Sequence, residues 1–597
     1  MKKLVFIILL LNTQLTQAQD LSGSEFWFTL PEGFSGVDKA ADYRVKIISE
    51  HCGNYTLSFP GLDYTLHGVY SAGNPAEILL TPIINGDTVY HTQDRLTQLK
   101  GIKINTSSKA MAYLIIPEEF SSGAETILPY RKLGTNYVLG FESGMRPSSV
   151  KHHPRTTIIA TEDSTNLEIK TWNNGVDSNQ THVGNQEIIK LQLNAGETFL
   201  FSQFAYNTGN DWYTNYEIHA QTGSVINSSK PVAVMSSTPC ADVSYCGPCD
   251  MLITMPLPTH LWAKNYTTVQ NVKRTYPSIY CDNENTLADF IQVVGKIGTH
   301  VNFRGTAIDT NIMISAPNYA TDNHYGYGRI IFNNPRYNDG SLDGGPEVFG
   351  EANLVISSDS NIFVTQYAKA GGYDNPSGGP NHREPEAFTV YPTHLWESSY
   401  MIPGKLNKGI IADRLNMELV IITTRVTRSS PSGIYLDGIN VNDAPYHAEW
   451  QAFGPTEKNL VFTRIMISNT QSSKLVSKKG EKMGVYFTGI STSDSFIIQG
   501  AYASNFSANC LTSEVVQLEE ELTTHIYPNP ATNYLNIANK DLNGLTISIH
   551  STDGTKYMEQ YGNSQKITLD IHHLPKGVYI VKLQSKEHEK VVKLIKE

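Results

Sequence analysis

The chain has 597 residues, with 40% hydrophobic and 17% charged residues, 45 Gly and 32 Tyr. That length exceeds one hydrophobic core and suggests roughly three to five domains, and low charge with abundant Tyr and Gly suits an extracellular all-β protein rather than a helical one. The formal net charge of −11 and the lack of any basic block argue against nucleic acid or anionic lipid as a partner.

The first element is Met1-Lys2-Lys3, followed by the apolar run Leu4 to Leu11 and the small-residue end Thr16-Gln17-Ala18. Its eight apolar residues would span only about 12 Å of a roughly 30 Å hydrocarbon core. Residues 1–18 therefore read as a signal peptide, with Gln19 as the new N-terminus. Its removal takes away two lysines and moves the formal charge from −11 to −13.

Between that peptide and residue 510 the sequence repeats itself. Three connectors share one pattern: Leu128-Pro129-Tyr130-Arg131-Lys132-Leu133-Gly134-Thr135-Asn136-Tyr137, Leu257-Pro258-Thr259-His260-Leu261-Trp262-Ala263-Lys264-Asn265-Tyr266, and Tyr391-Pro392-Thr393-His394-Leu395-Trp396-Glu397-Ser398-Ser399-Tyr400. Each places Tyr eight positions after Pro. Ahead of them, Asn105 to Tyr113, Asn227 to Met235 and Ile356 to Val364 read as a polar turn entering a strand. A further recurrent piece, at Leu57-Ser58-Phe59, Leu167-Glu168-Ile169, Val301-Asn302-Phe303 and Ile434-Tyr435-Leu436, has apolar residues at i and i+2 and predicts a strand ending in a turn. Four units follow, roughly 43–130, 150–260, 285–395 and 415–508. The fold class is all-β, as tandem β-sandwich-like units or, alternatively, one closed ring of four β blades.

Individual residues in this body suggest little chemistry. His260 and His394, each beside Leu and Trp in a repeated connector, read as packing residues, and His152-His153 has no partner motif. The six cysteines, Cys52, Cys240, Cys246, Cys249, Cys281 and Cys510, point to disulfides, with fifteen pairings open. Cys246-Gly247-Pro248-Cys249 resembles a redox motif, but Pro256 and Pro258 leave no room for the helix such a motif needs. A zinc site from Cys240, Cys246, Cys249 and His260 lacks the second Cys-x-x-Cys pair. Asp339 to Gly345 lacks the acidic ladder of a calcium loop and reads as a turn. No zinc-protease, serine-hydrolase, papain-like or phosphate-loop motif occurs, so no catalytic, cofactor-binding or metal residue is assigned.

Residues 511–522, containing Leu518-Glu519-Glu520-Glu521-Leu522, read as a linker. The last element, 523–597, alternates short strands and turns in the manner of a small Ig-like β-sandwich. It opens with Tyr527-Pro528-Asn529-Pro530, reaches Asp553-Gly554 after a middle strand, and ends with Gly577-Val578-Tyr579 and the Lys-rich strand Lys590 to Lys596. With these four motifs in order it resembles the type A C-terminal sorting domain of the type IX secretion system. That resemblance implies a secreted or cell-surface protein of a bacterium of the Bacteroidetes type. It also implies the type IX machinery as a partner, with the domain removed on export and lipopolysaccharide attachment frequent in such proteins. The mature chain has no apolar run long enough to anchor it.

In the body, Gly23-Ser24-Glu25-Phe26-Trp27-Phe28, the run from Ser229 through Cys240 to Cys249-Asp250-Met251-Leu252, and Gly489 to Phe496 resemble the N-terminal domain of the IgGFc-binding protein family over about residues 21–508. Met251 stands where that family usually has His. The resemblance implies a Cys240–Cys249 disulfide and a non-catalytic extracellular recognition module, associated in animals with mucus proteins. The expected function is adhesion to or recognition of a glycan, glycoprotein or surface protein, without cofactor. A secreted glycosidase-like hydrolase and a structural matrix component are the alternatives, since a pair of acids needs no fixed spacing.

Overall fold

The computed structural model describes residues 21–33, 43–71, 74–81, 83–84, 87–116, 123–141, 146–147, 154–176, 182–202, 221–242, 250–270, 289–306, 308–315, 325–331, 352–368, 386–403, 416–424, 431, 433–454, 459–467, 472–490, 495–499, 501–502, 524–527, 530–539, 544–551, 555–562, 564, 566–584 and 589–596. The expected signal peptide, His152-His153, residues 339–345, the linker, Asp553-Gly554 and four of the cysteines (Cys246, Cys249, Cys281 and Cys510) lie outside them. The described chain is all-β, its helical elements being single 3-10 turns. No helix among the described residues is long and apolar enough to cross a membrane. Two compact units divide the chain, Met1–Cys510 and Leu511–Glu597.

The larger unit is built from tandem sheets, and three of them are organised by one long strand each: Ile102–Ile116, Val225–Asp242 and Leu354–Ala368. The polar runs in these segments were expected to be turns. They are instead bends inside continuous strands, because a hydroxyl bonds the carbonyl two residues on: Thr106 to Ser108 at 2.8 Å, Ser228 to Lys230 at 2.6 Å and Ser358 to Ser360 at 2.6 Å. Such local bonds satisfy backbone acceptors and let the strand bend without ending.

Each half of a long strand then serves a different set of partners. Before the bend, a buried Ile is flanked on both sides: Phe26, Ile104 and Leu57; Tyr137, Ile226 and Ile169; Tyr266, Ile356 and Phe303. After the bend, Val45 pairs Leu114, Ile158 pairs Val234 and Val293 pairs Val364, all fully buried. Cross-strand apolar neighbours of this kind are the stabilising units of a sheet. In the fourth unit the same row recurs as Tyr400, Leu475 and Leu436. There the long strand is cut into Ser473–Ser477 and Met483–Ile490, and Gly480 at φ 74° turns the chain between them. The turn expected after Leu436 is present, with Asp437 and Gly438 at φ 50° and 83°, the paired positive angles a tight hairpin needs.

A tyrosine fastens the first strand of three units to the long strand at its bend. Tyr137 donates its hydroxyl to Val232 O at 2.7 Å and accepts from Gly134 N at 2.9 Å. Tyr266 donates to Ile362 O and accepts from Ala263 N at 3.2 Å. Tyr400 donates to Met483 O and accepts from Glu397 N at 2.9 Å. The register slips beside these phenols, between Gly134 and Asn136 and between Ala263 and Asn265. The phenol is thus spliced into the ladder where a direct N–H to carbonyl bond is lost.

The last strand of each unit runs along an inner face: Gly123–Ile127, Asp250–Thr254, Glu386–Val390 and Ser495–Gln499. Each packs against two others, the first also against the fourth, so the tandem sheets close into a cycle. Side chains seal the joints. Tyr367 donates to Gly140 O at 2.9 Å and Tyr486 to Val269 O at 2.8 Å. Trp262 stacks on Phe363 with centroids 6.0 Å apart. Between the first and last units, Tyr113 meets Phe487 edge-on and Lys474 pairs with buried Glu50 at 2.5 Å.

One buried acid lies at this inner face. Glu125 accepts Met255 N at 2.9 Å and its neighbour Thr126 N at 2.7 Å. Burial pushes its carboxyl up to about 8, against the lowering effect of those two bonds.

The smaller unit is a β-sandwich. Its three-stranded sheet contains Thr524–Tyr527, Tyr534–Asn539 and Lys566–Asp570. The facing four-stranded sheet orders Lys556–Gly562, Leu545–Ser551, Gly577–Gln584 and Glu589–Lys596. Alternate residues such as Ile547, Ile549, Leu569, Val581, Leu583 and Leu594 fill the core between them.

Two outcomes are expected. Tyr266→Phe removes the donor to Ile362 O while Phe26 already fits the matching slot of the first unit, so the change should cost about 1–3 kcal/mol in denaturant unfolding with an unaltered far-UV spectrum. The Glu125 carboxyl, raised in the folded state, retains a proton that the unfolded chain has lost between roughly pH 4.5 and 8, so its contribution falls as pH rises through that window. Glu125→Gln should flatten the stability profile there by roughly 1 kcal/mol per pH unit at most, read by urea unfolding at pH 5, 6, 7 and 8.

Candidate functional site

The first three inner strands run straight into the repeated connectors, so all three connectors lie at the same end of the ring. Each forms a 3-10 turn, Tyr130–Lys132, Thr259–Leu261 and Thr393–Leu395, closed by the N–H of the next residue onto the turn's first carbonyl. Each turn packs on the opening strand of the unit before it, against Gly23–Phe28, Gly134–Val138 and Ala263–Thr268 respectively. The approach is close at Gly134, where a Cβ would sit 3.0 Å from His260 Nδ1 and 2.5 Å from Pro258 Cβ.

Aligned on their prolines, the connectors match Arg131 with His260 and His394, Lys132 with Leu261 and Leu395, and Gly134 with Ala263 and Glu397. Leu261, Leu395, Trp262 and Trp396 are the buried packing residues. His260 is exposed and His394 half-buried. The histidines expected to pack therefore face the pole of the ring, because the tight turn buries the Leu and Trp that follow and rotates the His outward.

Lys132 takes the buried leucine position and is only 8% exposed. Burial, with help from Arg131, lowers its amine to about 8, and Glu397 partly opposes the shift. Burial lowers both histidines, and the Lys132 charge lowers them further, with Lys482 also acting on His394. Glu397 is raised by burial against the pull of Lys482 and Lys132. Lys482 is exposed and comes from the turn that interrupts the fourth unit's long strand. Arg131 Nε donates to Ser22 O at 2.7 Å. Among the described residues Lys132 makes no ion pair. The sequence signal for this site was the lysine standing where two sister connectors have leucine.

His91 is a different kind of buried histidine. Its ring lies 2.8 Å from Thr198 Oγ1 and 2.7 Å from Gln93 O, and burial lowers it to about 4, so it is a neutral structural group. Among the described residues, one group of metal-type ligands approaches within 4.8 Å: Asp570, His572 and His573, all exposed. Within it His572 Nδ1 lies 2.6 Å from Asp570 Oδ1.

Of the residues singled out in the sequence, Cys240 is fully buried in the long strand Val225–Asp242 and is disulfide-bonded, as is Cys52. Cys249 lies outside the described residues. Tyr527 ends a strand and pairs Asn536, Pro530 is exposed, and Pro528 and Asn529 lie outside the described residues. Gly577-Val578-Tyr579 opens a central strand of the smaller unit. Tyr579 is buried, donates its hydroxyl to Pro575 O at 2.8 Å and meets Tyr557 edge-on, while Val578 is 43% exposed. Peptide mapping without reductant is expected to recover Cys240 and Cys249 in one linked fragment; a Cys240 linked elsewhere would refute the pairing.

The profile of the IgGFc binding protein family matches residues 123–489, and that of the secretion system C-terminal sorting domain matches residues 525–597. No curated protein matches the chain. Among solved structures, the BSP domain of a biofilm associated protein is similar at 10% identity, covering 56% of this chain and 81% of that one, with a TM-score of 0.16. That overlap is too small to bear on function. The sorting domain marks the chain as a type IX secretion cargo of the outer surface or medium. Its body, matched over more than half of the whole chain, belongs to the IgGFc binding protein family.

Proposed function

We propose that the protein is a non-catalytic recognition or adhesion protein of the outer cell surface that binds a glycan, a glycoprotein or another surface protein. The observation that carries this reading is the closed cycle of four units, each pinned at its bend or joint by side-chain bonds to backbone. Such a body holds surface groups in fixed positions, which lowers the ordering cost of binding. The family takes its name from binding of IgG Fc; recognition, rather than that ligand, is the role proposed for this chain. A glycan or glycoprotein suits a body that a sorting domain delivers outside the cell.

The test is to incubate the full mature chain with glycan and mucin panels, recording both retention and released product. Saturable binding without turnover is expected. Hydrolysis of a panel member, abolished by one carboxylate or serine substitution, would overturn the proposal.

A further inference from the structure

The ring brings an unusual set of charges to its pole. In a chain of net charge −11, Lys132 and Arg131 share one turn, His260 lies against Gly134 two residues on, and Met483 N donates to Glu397 O at 2.8 Å, which brings Lys482 to the third connector. Glu162 accepts from Tyr130 of the first turn at 2.8 Å. The leucine found at both sister positions shows that packing alone does not require Lys132. A cation placed at an apolar, mostly buried position loses hydration, and an opposite charge is what compensates that loss. Among the described residues Glu397 is the acid whose charge opposes the lowering of Lys132, and burial draws that carboxyl toward its neutral form.

We propose that this pole binds an anionic sugar group, a carboxylate or a sulfate ester, with Lys132 as its charged anchor and His260, His394 and Lys482 as further donors. The asymmetry of the site fits the class. Lys132 sits low and desolvated, where a charge-assisted hydrogen bond is strong. The exposed His260 and Lys482 and the half-buried His394 rim it, where the rest of a saccharide remains in water. Nothing at this site requires hydrolysis, and its ligand can be measured independently of the recognition reading.

The full mature chain is titrated calorimetrically with 3′-sialyllactose, lactose 3′-sulfate and lactose. Both acidic sugars are expected to bind and lactose is not. If only one acidic sugar binds, that one names the anion. Lys132→Leu restores the residue of the sister connectors and should weaken acidic-sugar binding by about tenfold or more without lowering the melting temperature. His394→Asn, at a half-buried site, is the second variant and should weaken the same sugars by a smaller factor. Failure of both acidic sugars to bind, or unchanged affinity in both variants, overturns the site. Mucin binding that survives Lys132→Leu would sink this pole while leaving the recognition reading intact.

Discussion

A phenol spliced into a β-ladder holds each of three units together. Where the long strand bends, the register with the opening strand slips, and a backbone donor and acceptor lose each other. The chain Gly134 N–H to Tyr137 hydroxyl to Val232 O bridges that gap, and the same chain recurs at Tyr266 and Tyr400. The partners are 95, 96 and 83 residues apart in sequence. Buried backbone groups must find partners, so in these three units the tyrosine stabilises the bend. Without the bend, one strand could not face two sets of partners and the inner strands could not turn toward the ring. The first unit has Phe26 at this place, and there the strand pairs with Ala110 and Ile104 on either side of the bend without a phenolic bridge.

The connectors were legible because their spacing is rigid. Pro fixes the entry to a one-turn helix, and the tyrosine must fall eight residues later to reach the bend. The all-β class, the buried Leu57, Ile169, Phe303 and Leu436, and the terminal sandwich were legible through alternation. The bends were misread, because Asn-Ser-Ser-Lys is turn chemistry whether the hydroxyl ends a strand or merely kinks it. The outward face of His260 was hidden by its apolar neighbours: composition suggested packing, but a 3-10 turn separates adjacent side chains by about 120°. Closure of the ring depends on contacts between units more than a hundred residues apart, such as Tyr113 with Phe487, and no local pattern encodes it.

The polar bonds at the inner face help to set which closure forms. Apolar strands alone can slide past one another at little cost, since hydrophobic contact is non-directional. Glu125 accepting Met255 N, Thr389 donating to Met255 O at 3.3 Å and Leu128 N directed at Met255 Sδ at 3.2 Å tie three units at one residue. A shift of any strand would break several of these bonds together. Burying Glu125 costs stability, and that cost accompanies a bond that only one arrangement satisfies.

Comparison among the repeats separates scaffold from site. Positions that keep their chemistry through the connectors, the proline, the tyrosine and the large buried apolar residue (Leu133, Trp262, Trp396), all serve packing. Departures from the pattern gather elsewhere: Lys132 for leucine, Glu397 for a small residue, and the Lys-rich turn 478–482 in place of a bend. All three departures meet at one pole, although they come from separate connectors and a separate turn. Repetition builds a symmetric frame, and a symmetric frame offers equivalent places at its pole. Charge placed unequally among those places gives the pole a direction, which is what distinguishes a binding face from a structural end.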